Sequence, residues 1–222
     1  MGLADWETVF GGGYGITPER CVSGTHSLKG TGGQGACALV HKSTYNDAPL
    51  NVEIRTWGSF GHSSDQDYCS YYIGAMSRKQ AGKNTYAEIY LMVQFNTYGE
   101  IDSATVTFEL VNEGNPDLIT GKDVTDDLRQ LWEYHTENWF WMKARMFESG
   151  GRLYGNLFIT PYIPSPDVNN PPEDQLVLLA ELYFDQIPEY LQTGGACGII
   201  FGNEQSYPYW GDMYIDYTEI WY

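Results

Sequence analysis

Apolar and polar residues alternate with a period of two along most of this chain, and that alternation restricts the fold more than any other feature, because successive side chains on a β-strand point to opposite faces. From Tyr86 to Phe95, the residues Ala87, Ile89, Leu91, Val93 and Phe95 fall on one side, with Tyr86, Glu88, Tyr90, Met92 and Gln94 on the other. Ala104–Leu110 repeats the pattern, with Val106, Phe108 and Leu110 inward. Further runs predict strands over Gly35–His41, Val52–Trp57, Tyr71–Ser77, Trp139–Phe147, Leu153–Thr160, Val177–Phe184, Ala196–Gly202 and Asp212–Trp221. Ten strands separated by Gly-, Asn- and Pro-rich turns predict an all-β, antiparallel sandwich or jelly roll. Gly150 and Gly151 predict a tight hairpin turn between two of them.

Helical spacing is scarce. Val124, Leu128, Leu131 and Trp132 predict one short amphipathic helix within 123–135, opened by Asp123 or Thr125, and Asp185–Gln192 predicts another turn or two. The stretch Pro161–Pro172 holds five prolines, so it is read as a surface loop. The strands before and after it look alike, and 222 residues suit one large sandwich, so the expected organisation is a single domain over 1–222.

Composition narrows the partners. Twelve basic residues against 29 acidic ones give a net charge of −17, with no basic stripe. Such a surface repels phosphate backbones, which argues against nucleic acid and anionic membranes as partners, and no apolar run is long enough to span a bilayer. Met1–Phe10 is too short and too polar for a secretory leader, so the chain is expected to stay in the cytoplasm unless it leaves by lysis or within a larger assembly. The four cysteines (Cys21, Cys37, Cys69, Cys197) form no CxxC pair and are read as free thiols rather than zinc ligands. Eighteen Tyr, nine Phe and seven Trp suit strands and also offer stacking faces to sugars.

Three pieces in fixed order carry a family resemblance. Asp5-Trp6-Glu7 is followed by Gly24-Thr-His-Ser-Leu-Lys29. Trp139-Phe-Trp-Met-Lys-Ala-Arg145 runs through the Gly150-Gly151 turn into Arg152-Leu-Tyr-Gly-Asn-Leu157. Gly198-Ile-Ile-Phe-Gly202 leads to Gly211-Asp-Met-Tyr-Ile-Asp-Tyr-Thr-Glu-Ile-Trp221. Together they resemble the concanavalin A-like lectin/glucanase jelly roll, including versions found in phage and other viral structural proteins. The resemblance implies a lectin-like sandwich, and it raises catalysis, calcium and glycan as questions for particular residues.

Glucanases of this kind need a Glu-x-Asp-x-(x)-Glu array on one strand. Glu100 and Asp102 begin such an array, but Ser103, Ala104, Thr105 and Val106 follow, the second glutamate is missing, and Glu109 lies too far along. The histidines His26, His41, His62 and His135 are scattered, and no nucleophile elbow or phosphate-cradling loop is present. The chain is therefore read as non-enzymatic; two acids face to face in a deep groove would overturn that. In related sugar-binding jelly rolls an N-terminal acid and an acid on the last strand share a structural Ca²⁺, which implies Glu7 and Asp216 here, with carbonyls of Ser27 or Lys29 between them; an ordinary exposed strand carboxylate is the plainer reading of each. Asp65-Gln-Asp67 is a weaker candidate.

For a glycan, the aromatic stretch Ser206–Gly211 offers Tyr207, Tyr209 and Trp210, with Asn203, Glu204 and Gln205 beside them; Trp57 with His62, Ser63 and Ser64 forms a second cluster. The same rings also suit protein interfaces. The preferred reading is a virion structural or decoration protein, displayed on a virion surface and partnered by other assembly proteins or by itself. The alternative is a carbohydrate-binding module, and a degenerate glucanase ranks last.

Overall fold

In the computed structural model, residues 3–11, 13–22, 24–31, 35–61, 69–96, 98–132, 138–205 and 212–222 are described. They form β1 (Trp6–Phe10), β2 (Tyr14–Thr17), β3 (Ser27–Thr31), β4 (Gly35–His41), β5 (Val52–Gly61), β6 (Cys69–Lys79), β7 (Tyr86–Phe95), β8 (Ile101–Asn112), β9 (Asn115–Asp123), β10 (Phe140–Ser149), β11 (Arg152–Ile159), β12 (Val177–Phe184), β13 (Ala196–Gln205) and β14 (Asp212–Trp221). Two short helices, α1 (Thr44–Asp47) and α2 (Thr125–Leu131), join them. The strands make two seven-stranded antiparallel sheets, ordered β1-β4-β13-β6-β7-β8-β9 and β12-β11-β10-β5-β14-β3-β2. The fold is the expected antiparallel sandwich with one or two short helices.

The inward rows read from the sequence fill the space between the sheets. Ala87, Ile89, Leu91, Val93, Val106, Phe108 and Leu110 are all buried there, facing Ile54, Phe60, Met142, Ala144 and Leu157 of the second sheet. Phe60 is a hub: its ring lies 4.8 Å from Tyr71, 5.0 Å from Phe140 and 5.7 Å from Trp132. Gly150 and Gly151 take left-handed φ values of 59° and 82°, which a two-residue hairpin turn requires and glycine adopts without a Cβ clash.

Four strands, β1, β2, β3 and β9, lie outside the ten expected. The first three are four or five residues long and glycine-flanked. β9 (Asn-Pro-Asp-Leu-Ile-Thr-Gly-Lys-Asp) has almost no buried residue, so no hydrophobic period marks it. It is a strand because the edge of β8 offers it hydrogen bonds, not because it buries apolar surface.

Helix α2 is shorter than 123–135. It is anchored by Asp123, whose Oδ1 accepts from the Thr125 amide (2.9 Å) and hydroxyl (2.6 Å), and these bonds hold the carboxyl below its usual range. The Asp185–Gln192 turn is present as one 3₁₀ turn at Glu189–Leu191. The proline-rich loop does run over the surface, yet it also seals one. Ile163, Val168 and Leu176 pack on Trp57, Trp139, Trp141 and Tyr214, giving the outer face of the second sheet its own small core. Trp141 donates to Glu173 at 2.6 Å and pins this cover.

Candidate functional site

On β14 the alternation breaks once. Met213 and Ile215 point inward and Tyr214 and Asp216 outward. Tyr217 is then left unpaired in a β-bulge, with a left-handed φ of 48°. The Asp216 carboxylate holds this bulge: Oδ1 accepts from the Tyr217 amide (2.8 Å) and Oδ2 from the Val22 amide (2.6 Å). The inserted residue reverses the parity of the strand. Thr218 and Ile220 face inward opposite Thr56 and Ile54, and Glu219 and Trp221 face outward opposite Arg55 and Glu53. The step from Ile215 to Ile220, odd where strict alternation is even, is the sequence signal of that reversal.

Trp221 consequently stands on the outer face with 55% of its surface exposed, followed by Tyr222 at 65%. Beside Trp221 the strand registers assemble a charged row, with Glu53 opposite Trp221 on one side and opposite Arg145 on the other. Two guanidinium groups clasp the Glu53 carboxylate. Arg55 donates through Nε (2.6 Å) and Nη2 to Oε1, and Arg145 Nε lies 3.0 Å from Oε2. Arg55 also lies 5.2 Å above the Trp221 ring and Arg145 5.3 Å from the Phe147 ring. Trp221 Nε1 donates to Glu219 at 2.9 Å. Glu53, Arg55, Arg145, Phe147 and Trp221 line an open groove of about 290 Å³.

A second groove, of about 400 Å³, lies on the other side of Tyr222 and is lined by Asp5, Trp6, His41, Ser43, Thr218 and Ile220. Trp6 meets His41 edge-on at 5.3 Å, and the His41 Nδ1 and Ser43 hydroxyl are 2.7 Å apart. Tyr222 is the ridge between the grooves. Its hydroxyl donates to Asp47 at 2.5 Å, and that bond pushes the phenol above its usual range. The result is a strip of ring faces alternating with fixed hydrogen-bonding groups, the combination that orients a polyhydroxylated ligand.

The residues expected from the sequence are placed differently. Tyr207, Tyr209 and Trp210, with His62, Ser63, Ser64 and the Asp65–Asp67 pair, lie outside the described residues. Asn203 is buried in the inward row of β13. Trp57 is fully buried beneath the proline-rich loop, so it has no face for a sugar; the tryptophan that marked it as a stacking residue instead builds the outer core. Glu7 and Asp216 do not converge. Glu7 pairs with Val40 on the outer face of the first sheet and accepts from Tyr45 (3.1 Å), a contact that together with burial pushes that phenol up to about 12. Asp216 is on the opposite side of the molecule, on the outer face of the second sheet and committed to the bulge, so one ion cannot bridge the two. Among the described residues no group of three or more Asp, Glu, His or Cys is placed to hold a metal.

Glu100 and Asp102 form no catalytic array either. Glu100 takes the Asn96 amide at 3.0 Å, and Asp102 is exposed at the edge of an acidic hollow with Asp123, Asp126 and Asp127. The structure does bring one pair of acids face to face, Glu88 and Glu109, paired directly across β7 and β8. They sit on two neighbouring strands, not at alternate positions of one strand with an assisting Asp between them as the glucanase array requires.

No protein-family model matches the chain, and no curated protein matches it in sequence. Solved structures do match in shape. A legume lectin-like domain from Entamoeba histolytica superposes with a TM-score of 0.53 at 7% identity, over 94% of this chain and 89% of that one. A structure of botulinum neurotoxin type C, described as depending for cell entry on two ganglioside molecules, gives 0.45 at 11% identity over 97% of this chain; this chain spans only 42% of its length. The CBM2 module of the evolved Dit of Lactobacillus casei BL23 phage J-1 gives 0.42 at 11% identity, over 95% and 80% of the two chains. At 7% identity the likeness to the legume lectin-like domain is one of fold alone.

Proposed function

The sandwich is a concanavalin A-like jelly roll of the lectin type, and from that premise we propose that the chain is a non-catalytic carbohydrate-binding domain whose glycan lies along Trp221 and Tyr222. The observation that carries this reading is the exposed Trp221 ring beside the Glu53 carboxylate and its two arginines. A sugar's apolar face stacks on the ring, while its hydroxyls donate to Glu53 and accept from Arg145. Glu53 and Arg145 are fixed before the ligand arrives, which lowers the ordering cost of binding. The division of Glu88 and Glu109 between two strands and the missing second glutamate of the Glu-x-Asp-x-(x)-Glu array support the non-catalytic part.

The test is a glycan array probed with the whole chain, with calcium and with chelator, followed by titration of the best binder. Trp221→Ala and Arg145→Ala are each expected to weaken binding about tenfold or more, corresponding to about 1.4 kcal/mol. A blank array in both conditions overturns the reading. Loss of binding in a Tyr209→Ala, Trp210→Ala double variant, with Trp221→Ala unaffected, would move the site to residues 206–211.

A second reading, a virion structural or decoration component, is supported by a different feature. The edge strands β9 and β12 expose Leu118, Ile119, Val177, Leu178 and Tyr183, an apolar border of the kind that associating proteins cover. Light scattering tests it: a defined oligomer, dispersed by Ile119→Lys, supports assembly, and a monomer at high concentration counts against self-association.

A further inference from the structure

On the outer face of the first sheet, far from Trp221, Phe10, Tyr72 and Tyr90 wall a cavity of about 200 Å³ whose lining includes Ala36, Ile200 and Glu88. Between Tyr72 and Met76 on this face of β6, Gly74 carries no side chain. Gly74 sits across from Ile200 and Tyr90, where an added Cβ would fall 2.1 Å from the Ile89 carbonyl oxygen. The Tyr72 and Tyr90 rings are 6.1 Å apart and tilted by 56°. Glu88 is only 6% exposed, and its Oε2 receives no hydrogen bond from any described residue.

The charge around Glu88 is unbalanced. From β8 it faces Glu109; from its own strand Tyr86 and Tyr90; from β6 Met76 and, across the cavity, Tyr72. Beyond Glu109 lies Ile119 of β9, and the nearby Tyr45 phenol is engaged by Glu7. No lysine or arginine is among these groups. A buried carboxyl beside a half-buried one without a cation, beneath aromatic rings whose faces are themselves negative, forms an environment that favours a positive guest with little need of hydrogen bonds.

We propose that this cavity is a binding site for a small quaternary ammonium cation, with Phe10, Tyr72 and Tyr90 supplying the ring faces and Glu88 the counter-charge. The cavity is smaller than the roughly 300 Å³ at which pockets for drug-sized ligands begin, which limits the guest to a compact head group. Burial, with the facing Glu109, pushes the Glu88 carboxyl well above its ordinary value, so in the empty cavity it holds its proton to higher pH than an exposed carboxyl does. An entering cation favours the ionised carboxylate, and the proton leaves to solvent. Binding therefore strengthens as pH rises and releases protons.

Titration calorimetry of the whole chain with tetramethylammonium chloride and with choline chloride, against sodium and methylammonium chlorides at equal ionic strength, tests this. The expected result is saturable binding of both quaternary ions, tighter at pH 8 than at pH 5. Heats should differ between buffers of unlike ionisation enthalpy, as proton release requires. Glu88→Gln and Tyr90→Leu, each checked for an intact melt, should weaken binding about tenfold or more, and Trp221→Ala should leave it unchanged. Equal heats with sodium, tighter binding of methylammonium than of tetramethylammonium, or undiminished binding in folded Glu88→Gln would overturn the proposal.

Discussion

Trp221 lies directly opposite Glu53 in the β14–β5 ladder, and both project from the outer face, because Tyr217 is left unpaired four residues earlier. Deleting Tyr217 removes only the inserted residue, so Thr218 follows Asp216 directly and the faces are kept: Ile220 stays inward and Glu219 and Trp221 stay outward. The deletion is expected to cost about 1 kcal/mol, the worth of the Tyr217 amide bond to Asp216, and to keep glycan binding, because Trp221 still stands opposite Glu53. Asparagine tolerates the left-handed conformation, so Tyr217→Asn should keep the bulge and retain binding within about threefold of the parent. Calorimetric titration and thermal melts of the two variants check both outcomes.

Trp57 is a structural residue in this arrangement. Its ring lies 5.2 Å from Trp141, and its indole N–H has no partner among the described residues. Trp57→Ala should destabilise the fold by about 3–5 kcal/mol. Trp57→Phe, which forfeits no hydrogen bond, should cost about 1–2 kcal/mol and leave affinity at Trp221 intact. Urea unfolding followed by titration of the phenylalanine variant separates packing from recognition.

Arg78 is fully buried and tied at three points: Nη1 donates to the Leu191 carbonyl (2.6 Å), Nη2 donates to the Leu50 carbonyl (2.9 Å), and Nη2 lies 2.7 Å from Glu148 Oε1. Arg78→Met leaves two carbonyls and a carboxylate without their donor and should cost about 3–5 kcal/mol. Arg78→Lys should recover only part of this, because a single ammonium lacks the planar fork that reaches all three. A lower urea midpoint at unchanged slope would confirm a loss of native stability.

The Glu88–Glu109 pair gives stability a pH dependence of known sign. Glu88 is raised from the ordinary value of 4.5 by burial and by Glu109. The stability from its protonated form is therefore full below about 4.5 and is lost as pH rises through the higher folded value. Glu88→Gln keeps the neutral shape at every pH. It should match the parent near pH 4 and exceed it by about 1 kcal/mol at pH 8, where like charges would otherwise face each other across the strands. Melting curves of the two proteins between these limits provide the check; a constant difference would contradict it.

The sequence by itself determined the class of fold and the inward rows. Ala87, Ile89, Leu91 and Val93 are inward because a period of two is a local property of the chain, readable without knowing its neighbours. The same local reading predicted the Gly150-Gly151 turn and the bounds of β7, β12 and β14. It could not reach β9, whose strand conformation comes from the edge of β8, nor the burial of Trp57, which depends on a loop more than 100 residues further along.

The site belongs to tertiary structure for the same reason. Glu53, Arg145 and Trp221 become neighbours only through the registers of β5 with β10 and β14, and Trp221 reaches the surface only because a bulge shifts the last strand by one residue. Glu88 looks like a solvated outer residue until β6 and β8 place Tyr72 and Glu109 against it. Period two assigns each side chain to a face. Which side chains meet across that face, and what covers them, is settled by pairing between distant segments.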